Sequence, residues 1–102
     1  LVFSLNSMAA GYTGPAKVTA VSSINNNTFE LYGSWNNVDN CTGASKWIVG
    51  IHSTDTTQSV DSKYGMAMSA YLSDKTIELY VDGCNSYGQP IIKGIFLPAR
   101  NP

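Results

Sequence analysis

A single stretch of helical period stands between runs that alternate, and this arrangement constrains the fold of the chain most. Val60, Tyr64, Ala67, Met68 and Tyr71 recur at the spacing that places side chains on one helix face. Three β runs precede them. Lys17 to Ile24 is rich in β-branched residues and follows Gly14-Pro15. Phe29 to Trp35 alternates, with Phe29, Leu31 and Trp35 on one face, and the Asn25-Asn26-Asn27 turn joins these two runs as a hairpin. Lys46 to His52 puts Trp47, Val49 and Ile51 on one face and Lys46, Ile48 and His52 on the other. Two runs follow. Thr76 to Asp82 turns Ile77, Leu79 and Val81 inward, and Ile91 to Leu97 is the last strand before Pro98.

The helix is expected over Ser59–Leu72, capped by Ser59 or Asp61 and weakened at Gly65, with Met66, Ser69 and Ser73 on one of its faces. The order β-β-β-α-β-β predicts a β-rich (α+β) fold. Its expected form is a five-stranded OB-like barrel with one short helix between strands 3 and 4. An open antiparallel sheet with the helix across it is the alternative. The barrel is preferred because strands this short and this few otherwise leave exposed edges.

Composition excludes several function classes. The chain has 102 residues, 43% apolar and 13% charged, with a net charge of −1. That suits one packed domain, expected over 10–102, with a polar and nearly uncharged surface rich in Ser, Thr and Asn. Five Lys and one Arg are scattered without a run, so no basic footprint for nucleic acid exists. No apolar stretch approaches the roughly 18 residues of a transmembrane helix. One His and two Cys do not make a zinc site, and Asp55, Asp61 and Asp74 lack calcium-loop spacing, so neither metal nor cofactor is expected.

Residues 1–9 look like the tail of a signal peptide. Leu1, Val2, Phe3 and Leu5 end an apolar region, and Ser7 and Ala9 place small residues before an expected cleavage after Ala9. A retained N-terminal β-arm is the other reading. Export fits a Cys41–Cys84 disulfide closing a loop of about 44 residues, worth roughly 3–4 kcal/mol, with two buried free thiols as the alternative. Asn26-Asn27-Thr28 and Asn40-Cys41-Thr42 match glycosylation acceptors, a pattern that also arises by chance in such a chain.

Residues 58–102 resemble the second half of the B subunits of cholera-toxin-type bacterial exotoxins. The resembling features are Gln58-Ser59-Val60-Asp61-Ser62 opening the helix and Ala70-Tyr71-Leu72-Ser73 closing it. The Ile77-Glu78-Leu79 strand follows, then a Cys, a polar turn ending in Pro90 and a final apolar strand. The resemblance implies a small secreted OB-fold protein that forms a pentameric ring and binds a cell-surface glycan. It implies sugar contacts from Gln58 and Ser59 before the helix, from Lys63 on its first turn, and from an aromatic after the second Cys. Here that aromatic is Tyr87, with Asn85, Ser86 and Gln89 around it. The family places its first Cys near the N-terminus and carries a longer, more charged helix and a Trp in the turn.

Read as residues, Tyr87 in a Gly/Asn/Ser/Gln loop is the best sugar-contact candidate, since a ring face packs on sugar C–H groups and amides read hydroxyls. A turn Tyr that covers the disulfide is the plainer reading. Trp35-Asn36-Asn37 is a second candidate, though Trp35 follows the core alternation. His52, with Ser53, Asp55 and Ser59 nearby, is expected to be a surface residue and not a catalyst. Glu30 and Glu78 could be read as a glycosidase pair, but mid-strand they are expected to be solvated carboxylates or partners of a Lys. The Met66/Met68 and Tyr64/Tyr71 pairs are expected to pack the helix.

The expected function is a secreted, non-enzymatic glycan-binding module resembling a toxin B subunit and acting as a ring-shaped homo-oligomer. Its partners would be a cell-surface glycan and, if it is a toxin, a separate catalytic A chain. The alternative is a structural subunit of an extracellular assembly joined by β-strand pairing, with residues 1–10 as an added strand.

Overall fold

The inward positions of the alternating β runs supply the core, built from Phe29, Leu31, Trp47, Val49, Ile77, Leu79, Val81 and Ile92. A computed structural model describes residues 10–23, 28–50 and 56–100. The elements are β1 (Gly11–Lys17), β2 (Ala20–Ser23), β3 (Phe29–Tyr32), β4 (Trp47–Val49), α1 (Thr57–Ser73), β5 (Thr76–Cys84) and β6 (Pro90–Phe96). They form one six-stranded sheet in the order β1-β5-β6-β4-β3-β2. Every pairing is antiparallel except β4–β6, which is parallel. The expected signal segment 1–9, the Asn25-Asn26-Asn27 turn, His52, Ser53 and Asp55 lie outside the described residues.

The β-rich class with one helix is as expected, but a closed five-stranded barrel is not what forms. Among the described residues there are six strands, and β1 and β2 stand at opposite ends of the order with no pairing between them. The strand expected over residues 17–24 is broken at Val18-Thr19, and its first piece extends back to Gly11. Gly14-Pro15 hid this strand, because that dipeptide reads as a turn. Here it makes a bulge instead. Gly14 has φ +78°, the pairing with β5 shifts between Tyr12 and Pro15, and Pro15 is tolerated on an edge strand at a bulge. Thr13 fills the gap left in the ladder: its Oγ1 accepts from Leu79 N at 3.1 Å and donates to Gly14 O at 2.9 Å.

The segment after β3 lies against β1. Asn36 N donates to Thr13 O at 3.2 Å, and a Cβ on Gly33 would sit 2.8 Å from the Lys17 carbonyl oxygen. Trp35 follows, buried, with Nε1 donating to Ile77 O at 3.0 Å and its ring edge-on to Trp47 at 5.4 Å. Trp35 is therefore a core residue.

The helix starts two residues earlier than its periodicity predicts, because Thr56 caps it by accepting from Ser59 N at 3.1 Å. Asp74 in the left-handed region ends it, with its N–H turned back to the last carbonyls. The buried face is Val60, Lys63, Ala67 and Ala70, not the larger set expected. Ala67 and Ala70 let the helix backbone approach the sheet, which leaves Tyr64, Tyr71 and Leu72 exposed. Met66 packs on the core, and Tyr64 meets Phe29 edge-on at 5.2 Å.

Candidate functional site

The Cys41–Cys84 disulfide forms, with the two Cα atoms 5.7 Å apart. It clips the loop after β3 to the end of β5, and side chains of that loop build the junction. Asn37 accepts from Cys41 N at 2.9 Å and donates to Cys41 O at 2.8 Å. Asp39 accepts from Gly83 N at 2.7 Å. Gly43 N then donates to Gly88 O at 2.8 Å. The approach there is close: a Cβ on Gly43 would lie 2.8 Å from Tyr87 O, and one on Gly88 (φ +76°) would lie 2.5 Å from Thr42 Oγ1. Glycine is required at position 43 for lack of room against backbone, and at position 88 by the left-handed φ together with the Thr42 contact.

The turn beyond the disulfide, residues 85–89, is held by its own amides. Asn85 N donates to Gln89 O at 2.8 Å and Gly88 N to Asn85 O at 2.9 Å. Asn85 Oδ1 accepts from Tyr87 N at 3.0 Å and from Gln89 N at 2.8 Å, the Asx arrangement that favours Asn in turns. Asn85 Nδ2 donates to Gln89 Oε1 at 2.8 Å, and Gln89 Nε2 donates to Glu30 Oε2 at 3.0 Å. Tyr87 stands at the apex of this network, 82% exposed. Of the predicted contact set, Tyr87, Asn85 and Gln89 thus come together. The two amides hold the turn as well as lining it, a role that spacing alone did not reveal.

Gln58, Ser59 and Lys63 lie at the start of α1. Gln58 and Ser59 are in its first turn. Lys63 is buried, with Nζ donating to Ser59 Oγ at 2.6 Å, because the helix rotation set by Val60, Ala67 and Ala70 carries it toward the sheet. The bonds of the Tyr87 turn run to Glu30 and Gly43 and do not reach this group.

Glu30 and Glu78 depart from expectation. Both lie on the face opposite the core alternation, yet they are only 6% and 5% exposed. They do not sit together: Glu30 meets Gln89, while Glu78 takes Arg100 Nε at 2.8 Å, Arg100 Nη2 at 3.3 Å and Gly14 N at 3.1 Å. Hydrogen bonding from Arg100 holds the Glu78 carboxyl below its usual value; burial opposes this, and the Arg100 charge and the Gly14 N–H add to it. Arg100 also lies 3.4 Å over the Tyr12 ring, which packs against Tyr80 at 4.9 Å and Phe96 at 5.7 Å. Sequence reading missed this second aromatic cluster. Its only signal is Tyr12, Tyr80 and Phe96 on one face, which becomes visible once β1 is recognised as a strand.

No protein-family model, curated protein or solved structure matches the chain.

Proposed function

We propose that this chain is a secreted, non-enzymatic glycan-binding module of OB-like build, acting as a ring-shaped homo-oligomer like the toxin B subunits it resembles. The observation that carries the reading is Tyr87: a large aromatic ring, 82% exposed, on a turn fixed by a disulfide and by side-chain amides. An aromatic ring held rigidly in water offers an apolar face with little conformational entropy to lose, and sugar C–H faces are natural partners for it. Asn85 and Gln89 bring N–H groups beside it for sugar oxygens. Gln58, Ser59 and Lys63 form a second group of contacts, proposed from the resemblance alone.

The parallel β4–β6 pair supports the OB-like build. So does a first strand whose two halves bond to opposite ends of the sheet, β1 to β5 and β2 to β3. The disulfide supports export to an oxidising compartment. A ring would raise the avidity of individually weak sugar sites. Any catalytic activity would then belong to a separate A chain.

The test is a glycan array on the intact protein, with its native mass read by light scattering. Wild-type binding in a closed ring and a loss of tenfold or more in Tyr87→Ala are expected. Equal binding by both proteins removes Tyr87 from the site. The competing reading, a structural subunit joined by strand pairing, rests on the unpaired ends of the sheet order at β1 and β2, and predicts an open-ended polymer.

A further inference from the structure

We propose that Glu30 is the positioning residue of the Tyr87 turn and sets its polarity, so that the site favours a sugar bearing an acetamido group. The ligand part of this inference rests on the reading of Tyr87 as a sugar contact.

The argument is a chain of forced orientations. Glu30 sits in the middle of β3, between β2 and β4, and is 6% exposed. A carboxylate only accepts hydrogen bonds, so Gln89 must turn its Nε2 toward it. Gln89 Oε1 then faces Asn85 and receives Nδ2. Asn85 Oδ1 is left for the two backbone amides, Tyr87 N and Gln89 N, that shape the apex. No amide in this relay can flip without losing its partners. Glu30 thereby anchors the turn to a central strand, while Gly43 and the disulfide anchor it from the other side.

The same relay decides what a ligand meets. Both amide oxygens point into the turn. Each NH2 group carries a second hydrogen beyond the bond that it makes within the relay. Beside Tyr87 the relay thus leaves two donors, the second hydrogens of Asn85 Nδ2 and Gln89 Nε2, against one spare lone pair on Gln89 Oε1, while Asn85 Oδ1 is filled by two N–H groups. A plain hydroxyl accepts from such donors through a weaker acceptor oxygen. An acetamido carbonyl is a strong acceptor, and its methyl group adds apolar contact to the ring.

The positioning half is tested on ligand-free protein by amide hydrogen exchange. Glu30→Ala should speed exchange at Tyr87 N and Gln89 N by about tenfold, with Leu79 N unchanged, while Glu30→Gln, which keeps an acceptor, should stay within about twofold. Gln89→Ala breaks the same link from the turn side and should reproduce the tenfold effect at Tyr87 N should Glu30→Ala not fold. Unchanged exchange in the alanine variants overturns the positioning role.

The ligand half is tested with methyl glycosides of N-acetylgalactosamine and galactose. Wild type should prefer the acetamido sugar by about tenfold. The swap E30Q/Q89E rebuilds the relay with the carboxylate at position 89, so it should keep slow exchange and lose that preference. A swap variant that keeps both overturns the polarity argument. Binding of neither sugar by wild type, with exchange responding as expected, overturns the sugar reading while the positioning role stands.

Discussion

Two tyrosines, one on the sheet and one on a turn beyond it, end in opposite situations. Tyr12 on β1 is 45% exposed and its face is covered by the Arg100 guanidinium, 3.4 Å above the ring. Tyr87 is 82% exposed, and its turn bonds through backbone and amides while leaving the ring bare. Each lies near a buried carboxylate on an outward-facing strand position. Glu78 is neutralised by a cation, and Glu30 is met by a neutral carboxamide. The difference separates the two roles. At the Tyr12 end the aromatic and charged groups satisfy one another, which makes a structural clamp. At the Tyr87 end the network fixes the turn but leaves the ring and the second amide hydrogens of Asn85 and Gln89 open, which is what a contact site requires.

The comparison is broken most strongly at the disulfide. The double variant Cys41→Ser/Cys84→Ser should lose about 4 kcal/mol in denaturant unfolding, from loop-closure entropy alone. Backbone substitutions sharpen it. Gly88→Ala should cost about 2 kcal/mol or more, because its left-handed φ is compounded by the contact with Thr42. Gly14→Ala at the clamp end meets only Asn36 Nδ2, at 3.6 Å, and should cost about 1 kcal/mol.

Acid distinguishes the two carboxylate environments. The folded value of Glu78 is depressed, so its contribution is fully present above its ordinary value near 4.5 and is lost as pH falls through the lower folded value. Arg100→Ala leaves burial to raise the folded value of Glu78, so the acid-induced fall in thermal midpoint should shrink or reverse, from a lower midpoint at neutral pH. A midpoint profile unchanged by Arg100→Ala would mean that the clamp does not act in solution. The smallest effect is at the rings themselves. Tyr12→Ala should cost about 1 kcal/mol through lost ring contacts, whereas Tyr87→Ala should change stability by less than about 0.5 kcal/mol.

Alternation exposed most of the strands because one buried face writes a period of two into Phe29-Leu31 and Ile77-Leu79-Val81. It failed at β1, where the bulge at Gly14-Pro15 interrupts the period and Thr13 takes an inward place that alternation assigns to an apolar residue. The helix was found but turned wrongly, since Tyr64 and Tyr71 outweigh Ala67 and Ala70 in apolar bulk, while close packing favours the alanines. At the site, Tyr87 and the polar turn were legible from composition. The Glu30 relay was not: it joins positions 59 apart in the chain, and an outward strand position reads as solvated when the turn that covers it is unknown.

The break at Val18-Thr19 also sets an order in time. β2 and β3 are close neighbours in the chain and can zip locally, whereas Thr13 waits for Leu79, 66 positions on, to bridge the ladder. Closing so long a segment costs entropy before any contact returns it, and distant pairings slow folding. The first of the described strands is therefore among the last to find its seat. A pulse-labelling experiment should see the amides of β2 and β3 protected before those of β1.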